Sequence, residues 1–333
     1  MWAIVLVGGF GTRLRPLTLD TPKQLLPVGD RSLLEWVVGR LASQGIGRVV
    51  LSLGYRPDAF VDAYPDGRCA DTDLIYAVEP EPLGTAGAVR FAAESVGVDD
   101  TFVVLNGDVL TDFDVRRLLD HHRRLGVEAS IALHPVADPS AFGVVDLDER
   151  GLVRHFVEKP PSGTAPSNLI SAGTYVLEPA VLDLIPGGRA VSIEREVFPT
   201  LAAGGRLAGL ADAGYWLDTG TPELLLTANL DVLDGRRGPI GDTALGEVHP
   251  AAEVLRSVVS AGCQVAAGAT VTDSVLLDGV TVCKGATVSR SLIGPGVVVE
   301  AGAQVLDLSV IGRGERIVAG ETLSGERRPA PTD

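Results

Sequence analysis

The stretch Trp2-Ala-Ile-Val-Leu-Val-Gly-Gly-Phe-Gly-Thr-Arg-Leu-Arg-Pro16 decides the fold of the first two thirds of the chain. Trp2 to Val7 are continuously apolar, the pattern of a strand covered on both faces. A glycine-rich loop follows at once. Its backbone N–H groups therefore stand at the carboxyl edge of a sheet, where α/β proteins bind ligands. Glycine also allows the close backbone approach that a phosphate needs. The loop matches neither common phosphate motif. A dinucleotide fingerprint would need glycine where Leu14 stands, and a P-loop would need Gly-Lys-Ser/Thr.

Outward from this loop, strand and helix patterns alternate to about residue 235. Ser32 to about Leu41 reads as a helix, with Ser32 as N-cap and Glu35 three residues on, a capping-box signature. Strands are expected at Val49–Leu53, Leu74–Val78, Phe102–Leu105 and Ala129–Leu133. Helices are expected at Thr85–Glu94, Phe113–Arg123 and Pro222–Leu233. This alternation predicts a doubly wound, mixed but mostly parallel α/β sheet. Short strands near Val144–Asp146, Val153–Val157 and Thr174–Leu177 read as an inserted antiparallel layer. From about 240 the helical period disappears. Four segments starting at Ser257, Ser274, Ser291 and Ser309 align at spacings of 17, 17 and 18 residues. Aliphatics recur about every six residues, as at Ile293, Val299, Val305, Ile311, Ile317 and Leu323. That period reads as a β-helix of three hexads per coil; a β-sandwich is the competing reading. The chain is expected to divide into residues 1–235 and 236–333.

Composition narrows the function. With 333 residues the chain is long enough for about two domains. Apolar residues are 46% and charged residues 21%, so a packed globular protein is expected and dominant disorder is excluded. The net charge of −15 offers no basic face for releasing DNA counterions, so no nucleic-acid partner is expected. Cys69, Cys263 and Cys283 form no CxxC, which excludes a zinc ribbon or redox motif. The apolar start is too short for a secretory signal, and no run approaches the ~18 apolar residues of a membrane span. The expectation is a soluble cytoplasmic protein with no membrane partner.

Charged side chains beside the loop sharpen its chemistry. Arg13 and Lys23 bracket it. Lysine occurs only at Lys23, Lys159 and Lys284, so where arginine is the default cation a lysine suggests a compact point charge. Asp108 ends the strand Phe102-Val-Val-Leu-Asn-Gly-Asp108, and Asp218 lies in Tyr215-Trp-Leu-Asp-Thr-Gly220. Hard carboxylates at strand ends are what Mg²⁺ uses, with waters and substrate phosphates completing its shell. Taken together these residues read as a phosphate–metal site, although each alone is as well explained as a turn, cap or surface residue.

The motifs resemble one family. Gly8-Gly-Phe-Gly-Thr-Arg-Leu-Arg-Pro-Leu-Thr18, Pro22-Lys23 and Leu26-Pro-Val28 are similar to the signature of the sugar-1-phosphate nucleotidyltransferases. The resemblance continues through Glu81-Pro-Leu-Gly-Thr-Ala-Gly87, Leu105-Asn-Gly-Asp108, Phe142-Gly-Val144, Val157-Glu-Lys-Pro160, Ser192-Ile-Glu-Arg-Glu-Val-Phe-Pro199 and Trp216-Leu-Asp-Thr-Gly220. It is strongest toward the mannose-1-phosphate guanylyltransferases. It implies a left-handed parallel β-helix at the C-terminal end; that helix is expected to serve in a homo-oligomer or in regulation.

By the same resemblance, an NTP and a sugar 1-phosphate are the partners and Mg²⁺ the cofactor. Arg13 and Lys23 would be catalytic, holding the triphosphate, with Gly8, Gly9, Gly11, Thr12, Glu79, Gly84 and Thr85 also binding the nucleotide. Asn106, Gly143, Glu158, Lys159, Ser171 and Gly173 would bind the sugar phosphate, and Asp108 and Asp218 the metal. A phosphate oxygen of the sugar 1-phosphate would attack the α-phosphorus of the NTP, and pyrophosphate would leave.

Glu79 stands where pyrimidine users often carry glutamine. A carboxylate only accepts hydrogen bonds, which suits the adjacent N1–H and N2–H donors of guanine. Base reading by backbone alone is the competing account. Ser171 stands where many relatives have asparagine, so another hexose, heptose or cyclitol phosphate, or another base, remains an alternative, as does a non-catalytic regulatory homologue. Acyl transfer by the β-helix is not expected, because no histidine lies beyond His249.

Overall fold

The computed structural model describes residues 1–54 and 56–330. Its internal contacts form two compact units. One comprises Met1–Gly9 and Leu34–Leu217, the other Phe10–Leu33 and the chain from Asp218 onward. This spatial division differs from a linear one at 235/236, because most of the signature segment belongs to the second unit.

The first unit is built on a ten-stranded sheet. The Trp2–Leu6 strand lies between Arg48–Leu53 and Phe102–Asn106 and is parallel to both. Ala3, Ile4 and Val5 are fully buried, as the unbroken apolar run required. Thr72–Val78 adds in parallel beyond Arg48–Leu53. On the other side Leu169–Leu177 pairs antiparallel with Phe102–Asn106, followed by Gly143–Leu147 and Val153–Glu158. Ala129–Pro135 pairs with Leu169–Leu177, and Leu207–Ala211 runs parallel to it.

The strands expected as a separate antiparallel layer are therefore part of the main sheet. Leu169–Leu177 is buried along most of its length and stands inside the sheet. Only its last four residues were legible, because the register breaks between Ser171 and Tyr175, where Gly173 takes positive φ. The helices accompanying this sheet are α1 (Leu33–Ser43), α2 (Pro57–Ala63), α3 (Gly84–Ser95), α4 (Val115–Leu125) and α5 (Phe198–Ala203). The helix expected from Phe113 begins at Val115, because the Asp114 side chain caps it by accepting from the Arg116 amide. Ser32 lies in the two-residue strand Arg31–Ser32, paired with Pro27–Val28 just before α1.

In the second unit α6 (Pro222–Leu233) starts with the Thr221 hydroxyl accepting from the Leu224 amide. Its fully buried Asn229 accepts from the Gly29 amide at 2.9 Å and donates to the Pro27 carbonyl at 3.2 Å, tying the signature segment to the helix. Beyond it the chain winds into a left-handed parallel β-helix whose three faces each carry five parallel strands. One coil precedes the four visible as repeats, with strands Glu247–Val248 and Glu253–Leu255. Ile293, Val299, Val305, Ile311, Ile317 and Leu323 all point into the core.

The serines that opened each repeat also have a structural role. Ser257 accepts from the Ser274 amide, and Ser274 from the Ser291 amide, each at 3.1 Å. Buried amides at the coil corners are thereby satisfied. The spacing of 18 is absorbed at one corner, where Asp307 and Leu308 both take positive φ while the flanking strands stay paired.

Candidate active site

In the first unit the loop after the Trp2–Leu6 strand meets Glu79. A Cβ on Gly8 would stand 3.4 Å from the Gly54 amide nitrogen and 3.6 Å from Glu79 Oε1. Half-buried Glu79 accepts from the Ser52 hydroxyl through Oε1 and from the Leu83 amide through Oε2, both at 3.1 Å. It thus shapes the turn Pro80–Leu83 while each oxygen keeps a second lone pair. Gly84 follows with φ +71°; a Cβ there would stand 2.6 Å from the Val191 carbonyl oxygen, so only glycine fits. Thr85 donates to Glu194 Oε2 at 2.7 Å and accepts from the Ile193 amide at 2.8 Å. Gly9 is exposed at the loop.

The expected sugar-phosphate residues form a second group in the same unit. Gly173, at φ +72°, packs on Asn106, whose Nδ2 would lie 2.7 Å from a Cβ. A Cβ on Gly143 would stand 2.5 Å from Phe156 Cζ and 3.0 Å from Glu158 Oε2. Lys159 Nζ lies 3.8 Å from Glu158 Oε1, and Lys159 itself holds φ +49°, a conformation that costs a non-glycine residue free energy. Burial pushes the Glu158 carboxyl up, and the neighbouring Glu194 charge adds to this against Lys159 and Arg195. Beneath them lies Tyr175, 2% exposed, its hydroxyl 3.5 Å from Ser171 Oγ. Burial raises its hydroxyl, and the charges of Glu194, Glu158 and Asp108 act in the same direction. Asp108, Glu158 and Ser171 are therefore gathered around one buried tyrosine. Neither Tyr175 nor Glu194 was singled out from the sequence. A tyrosine in a buried strand reads as core, and Glu194 was visible only as a letter of Ser192-Ile-Glu-Arg-Glu196.

The remaining expected residues lie in the second unit. Gly11, at φ +61°, precedes the short turn Thr12–Leu14, and its carbonyl accepts from the Thr18 hydroxyl at 2.7 Å. Lys23 Cβ would be 3.5 Å from a Cβ on Gly11, so the lysine does return to the loop. Thr12 and Arg13 are exposed. Around the point where a Cβ on Gly220 would sit, Arg13 Nη2 stands at 2.5 Å and Asp218 Oδ1 at 2.9 Å. The missing side chain of buried Gly220 therefore lets guanidinium and carboxylate approach the same point, and its amide donates to Asp218 Oδ1 at 2.9 Å.

Among the described residues no cluster of three or more His, Cys, Asp or Glu side chains forms a metal cage. Mg²⁺ seldom has one: it takes one or two carboxylates and completes its shell with water and substrate phosphate. Asp108 in the first unit and Asp218 in the second are each half-buried, and each offers the oxygen donors that this chemistry uses.

The doubly wound sheet, a cation-bearing glycine loop and a hexapeptide solenoid define a class of nucleotide-transferring enzyme. Residues 2–235 match the family model described as nucleotidyl transferase, and residues 235–323 the one described as GlmU-like, C-terminal hexapeptide. The chain belongs to the nucleotidyl transferase family.

A mannose-1-phosphate guanylyltransferase of Mycobacterium tuberculosis is 40% identical over 295 residues, covering 80% of this chain and 81% of that protein. A mannose-1-phosphate guanyltransferase of Candida albicans is 39% identical, covering 75% of this chain and 67% of that one. Among solved structures, HddC from Yersinia pseudotuberculosis superimposes with a TM-score of 0.60 at 28% identity, covering 69% of this chain and 99% of that one. The same protein complexed with GMP-PN gives 0.59. Among the described residues no helix is long and apolar enough to cross a membrane.

Proposed function

We propose that the enzyme transfers the guanylyl group of GTP to mannose 1-phosphate, giving GDP-mannose and pyrophosphate. The observation that carries this reading is the 40% identity to a protein of that name across four fifths of both chains. The nearby structure complexed with a guanine nucleotide analogue agrees with it. A phosphate oxygen of the sugar 1-phosphate forms a bond to the α-phosphorus while the bond to the bridging oxygen of pyrophosphate breaks. No nucleophilic side chain is required, so the residues act by positioning and by neutralising charge.

Arg13 and Lys23 neutralise the triphosphate and the departing pyrophosphate. Gly8, Gly9, Gly11, Thr12, Gly84 and Thr85 shape the nucleotide site, and Glu79 accepts from the guanine N1–H and N2–H. Asn106, Gly143, Glu158, Lys159, Ser171 and Gly173 hold the sugar phosphate. Asp108 and Asp218 are the carboxylates that would hold Mg²⁺, which when bound withdraws charge from phosphate oxygens.

Ser171 supports a second reading. Its side chain, 3.5 Å from the Tyr175 hydroxyl, is shorter than the asparagine that many relatives carry, so another hexose, heptose or cyclitol phosphate is the alternative acceptor. A panel of four NTPs crossed with these sugar 1-phosphates, read by pyrophosphate release, tests both. The highest kcat/KM is expected for GTP with mannose 1-phosphate. A pyrimidine preference overturns the base assignment, and a different best sugar selects the second reading.

The proposed domain organisation is a catalytic domain over 1–235 and a β-helix over 236–333, of which 331–333 lie outside the described residues. We further propose that the β-helix assembles subunits, which sedimentation of the intact chain reads. Three unpaired thiols suit the reducing cytoplasm, the proposed compartment.

A further inference from the structure

The segment that carries Arg13 and Lys23 is gripped by the β-helix within one compact unit. Pro16 is buried, and its Cβ lies 3.0 Å from where a Cβ on Gly312 would sit. Pro329 Cδ at 3.0 Å and the Arg328 carbonyl at 3.3 Å close the same point. Gly312 is thus a corner where solenoid and segment meet so closely that a methyl group would push its neighbours back by a few tenths of an ångström. Arg327 Nη1 donates to the Arg15 carbonyl at 3.3 Å. Further along, Leu17 and Leu26 line, with Val275, Leu277 and Leu292 of the solenoid and Leu225 and Asn229 of α6, a cavity of about 10 Å³, at the lower limit for a single water.

Each cation stands close to an anchor: Arg13 precedes Pro16 by three residues, and Lys23, between Leu17 and Leu26, precedes Leu26 by three. The segment itself consists mainly of isolated single turns, Thr12–Leu14, Leu17–Leu19 and Lys23–Leu25. Such turns have little conformational stability of their own, so their shape depends on what they pack against. Transfer by charge stabilisation needs cations already in place, and a misplacement of about 1 Å can cost on the order of 100-fold in rate. The grip is steric before it is ionic. The Arg313–Asp20 pair, 3.5 Å apart with both side chains more than half exposed, is screened by water and contributes little.

We propose that the C-terminal coils of the β-helix position the triphosphate-binding segment, with Gly312 and Arg327 as positioning residues. The inference rests on the reading of Arg13 and Lys23 as triphosphate ligands. It gives the solenoid a part in turnover that is separate from assembly.

The test compares Gly312→Ala, Arg327→Ala and Arg327→Lys with the parent chain. Arg316→Ala serves as the control, because its guanidinium pairs with Glu300 within the solenoid. Gly312→Ala and Arg327→Ala are expected to lower kcat/KM for the NTP about tenfold and to leave KM for the sugar 1-phosphate and the oligomeric state unchanged. Arg327→Lys keeps a cationic donor and should recover much of the loss. Amide hydrogen exchange over residues 12–25 should accelerate in the two impaired variants and not in the control. The proposal is overturned if NTP kinetics are unchanged, or if the exchange of this segment is unchanged. A parent chain without nucleotidyl transfer would sink the functional reading instead, and the exchange measurement alone would then decide whether the solenoid holds the segment.

Discussion

Glu79→Gln separates base reading from loop building. In the parent, Oε2 holds the Leu83 amide and Oε1 the Ser52 hydroxyl, each at 3.1 Å. Glutamine can keep its carbonyl oxygen on the Leu83 amide, which has no alternative to donating. Its amide nitrogen then faces Ser52, whose hydroxyl already lies 3.4 Å from the Ala88 carbonyl and can turn its proton there while accepting from glutamine. The turn should survive, and the thermal midpoint should move little. The loss falls on the substrate. A carboxylate can accept from N1–H and N2–H of guanine together, whereas the amide would set a donor against one of them. A hydrogen bond to a charged group contributes about 1.5–3 kcal/mol. At a tenfold change per about 1.4 kcal/mol, kcat/KM for GTP should fall roughly 10- to 150-fold. Values for UTP and dTTP should fall less or rise, because the parent carboxylate repels their O4 acceptor. The assay is kcat/KM for all four NTPs by pyrophosphate release, with the thermal midpoint measured in parallel. An unchanged GTP value and an unchanged order of preference would refute the argument and leave Glu79 as a loop residue only.

Gly220→Ala places a methyl group 2.5 Å from Arg13 Nη2 and 2.9 Å from Asp218 Oδ1, so these flexible ends must shift while the fold holds. We expect a 10- to 100-fold drop in kcat/KM for the NTP, from the roughly 1 Å displacement, and parent-like kinetics would remove Arg13 from the site. Asp108→Asn and Asp218→Asn should each abolish most Mg²⁺-dependent turnover and leave far-UV circular dichroism unchanged; near-normal metal dependence in both would contradict their assignment as ligands. Glu194→Gln can keep its carbonyl where the Thr85 and Ser192 hydroxyls both donate, since both bonds end on the same oxygen. With that like charge gone, the raised Glu158 carboxyl ionises at lower pH, while Lys159 and Arg195 still favour the ionised form. The acid limb of kcat/KM for the sugar 1-phosphate should then move to lower pH; a limb that stays put or moves up would show that Glu158 ionisation does not control sugar binding.

The regular elements were legible where one rule acts alone. Trp2–Val7 is apolar throughout because both faces of that strand are covered. The serine and aliphatic repeats were visible because each coil must satisfy the same corner amide and fill the same core. What escaped the sequence depends on two distant segments at once. Leu169–Leu177 is interrupted by an irregularity between Ser171 and Tyr175, with Gly173 at positive φ, so the strand is held by pairing on either side of a break that no alternation reveals. Glu79 was visible as a base-reading candidate, but its two bonds to Ser52 and Leu83 were not. Tyr175 and Glu194 could not be assigned because a buried tyrosine and a surface glutamate are each common, and only their convergence on Glu158 gives them meaning. The contact of Pro16 with Gly312 joins residues almost a whole chain apart, beyond the reach of any periodicity.

That contact makes coil number a measured length. Solenoids ordinarily tolerate gain or loss of whole repeats, because each coil touches only its neighbours. Here the signature segment borders successive rungs, sharing one cavity with Val275, Leu277 and Leu292 and meeting Gly312 through Pro16. Rungs are spaced about 4.7–4.9 Å apart. Excising Ser274–Arg290 would join Asp273 to Ser291 and set Ser291 seventeen residues after Ser257 in place of Ser274, in phase, and the remaining coils could still stack. The corner that receives Pro16 would nevertheless arrive one rung early, and the loop would meet a side chain in place of a glycine. The repeat array therefore acts as a ruler, and insertions or deletions of whole coils are expected to be tolerated only beyond the rung that Pro16 reads.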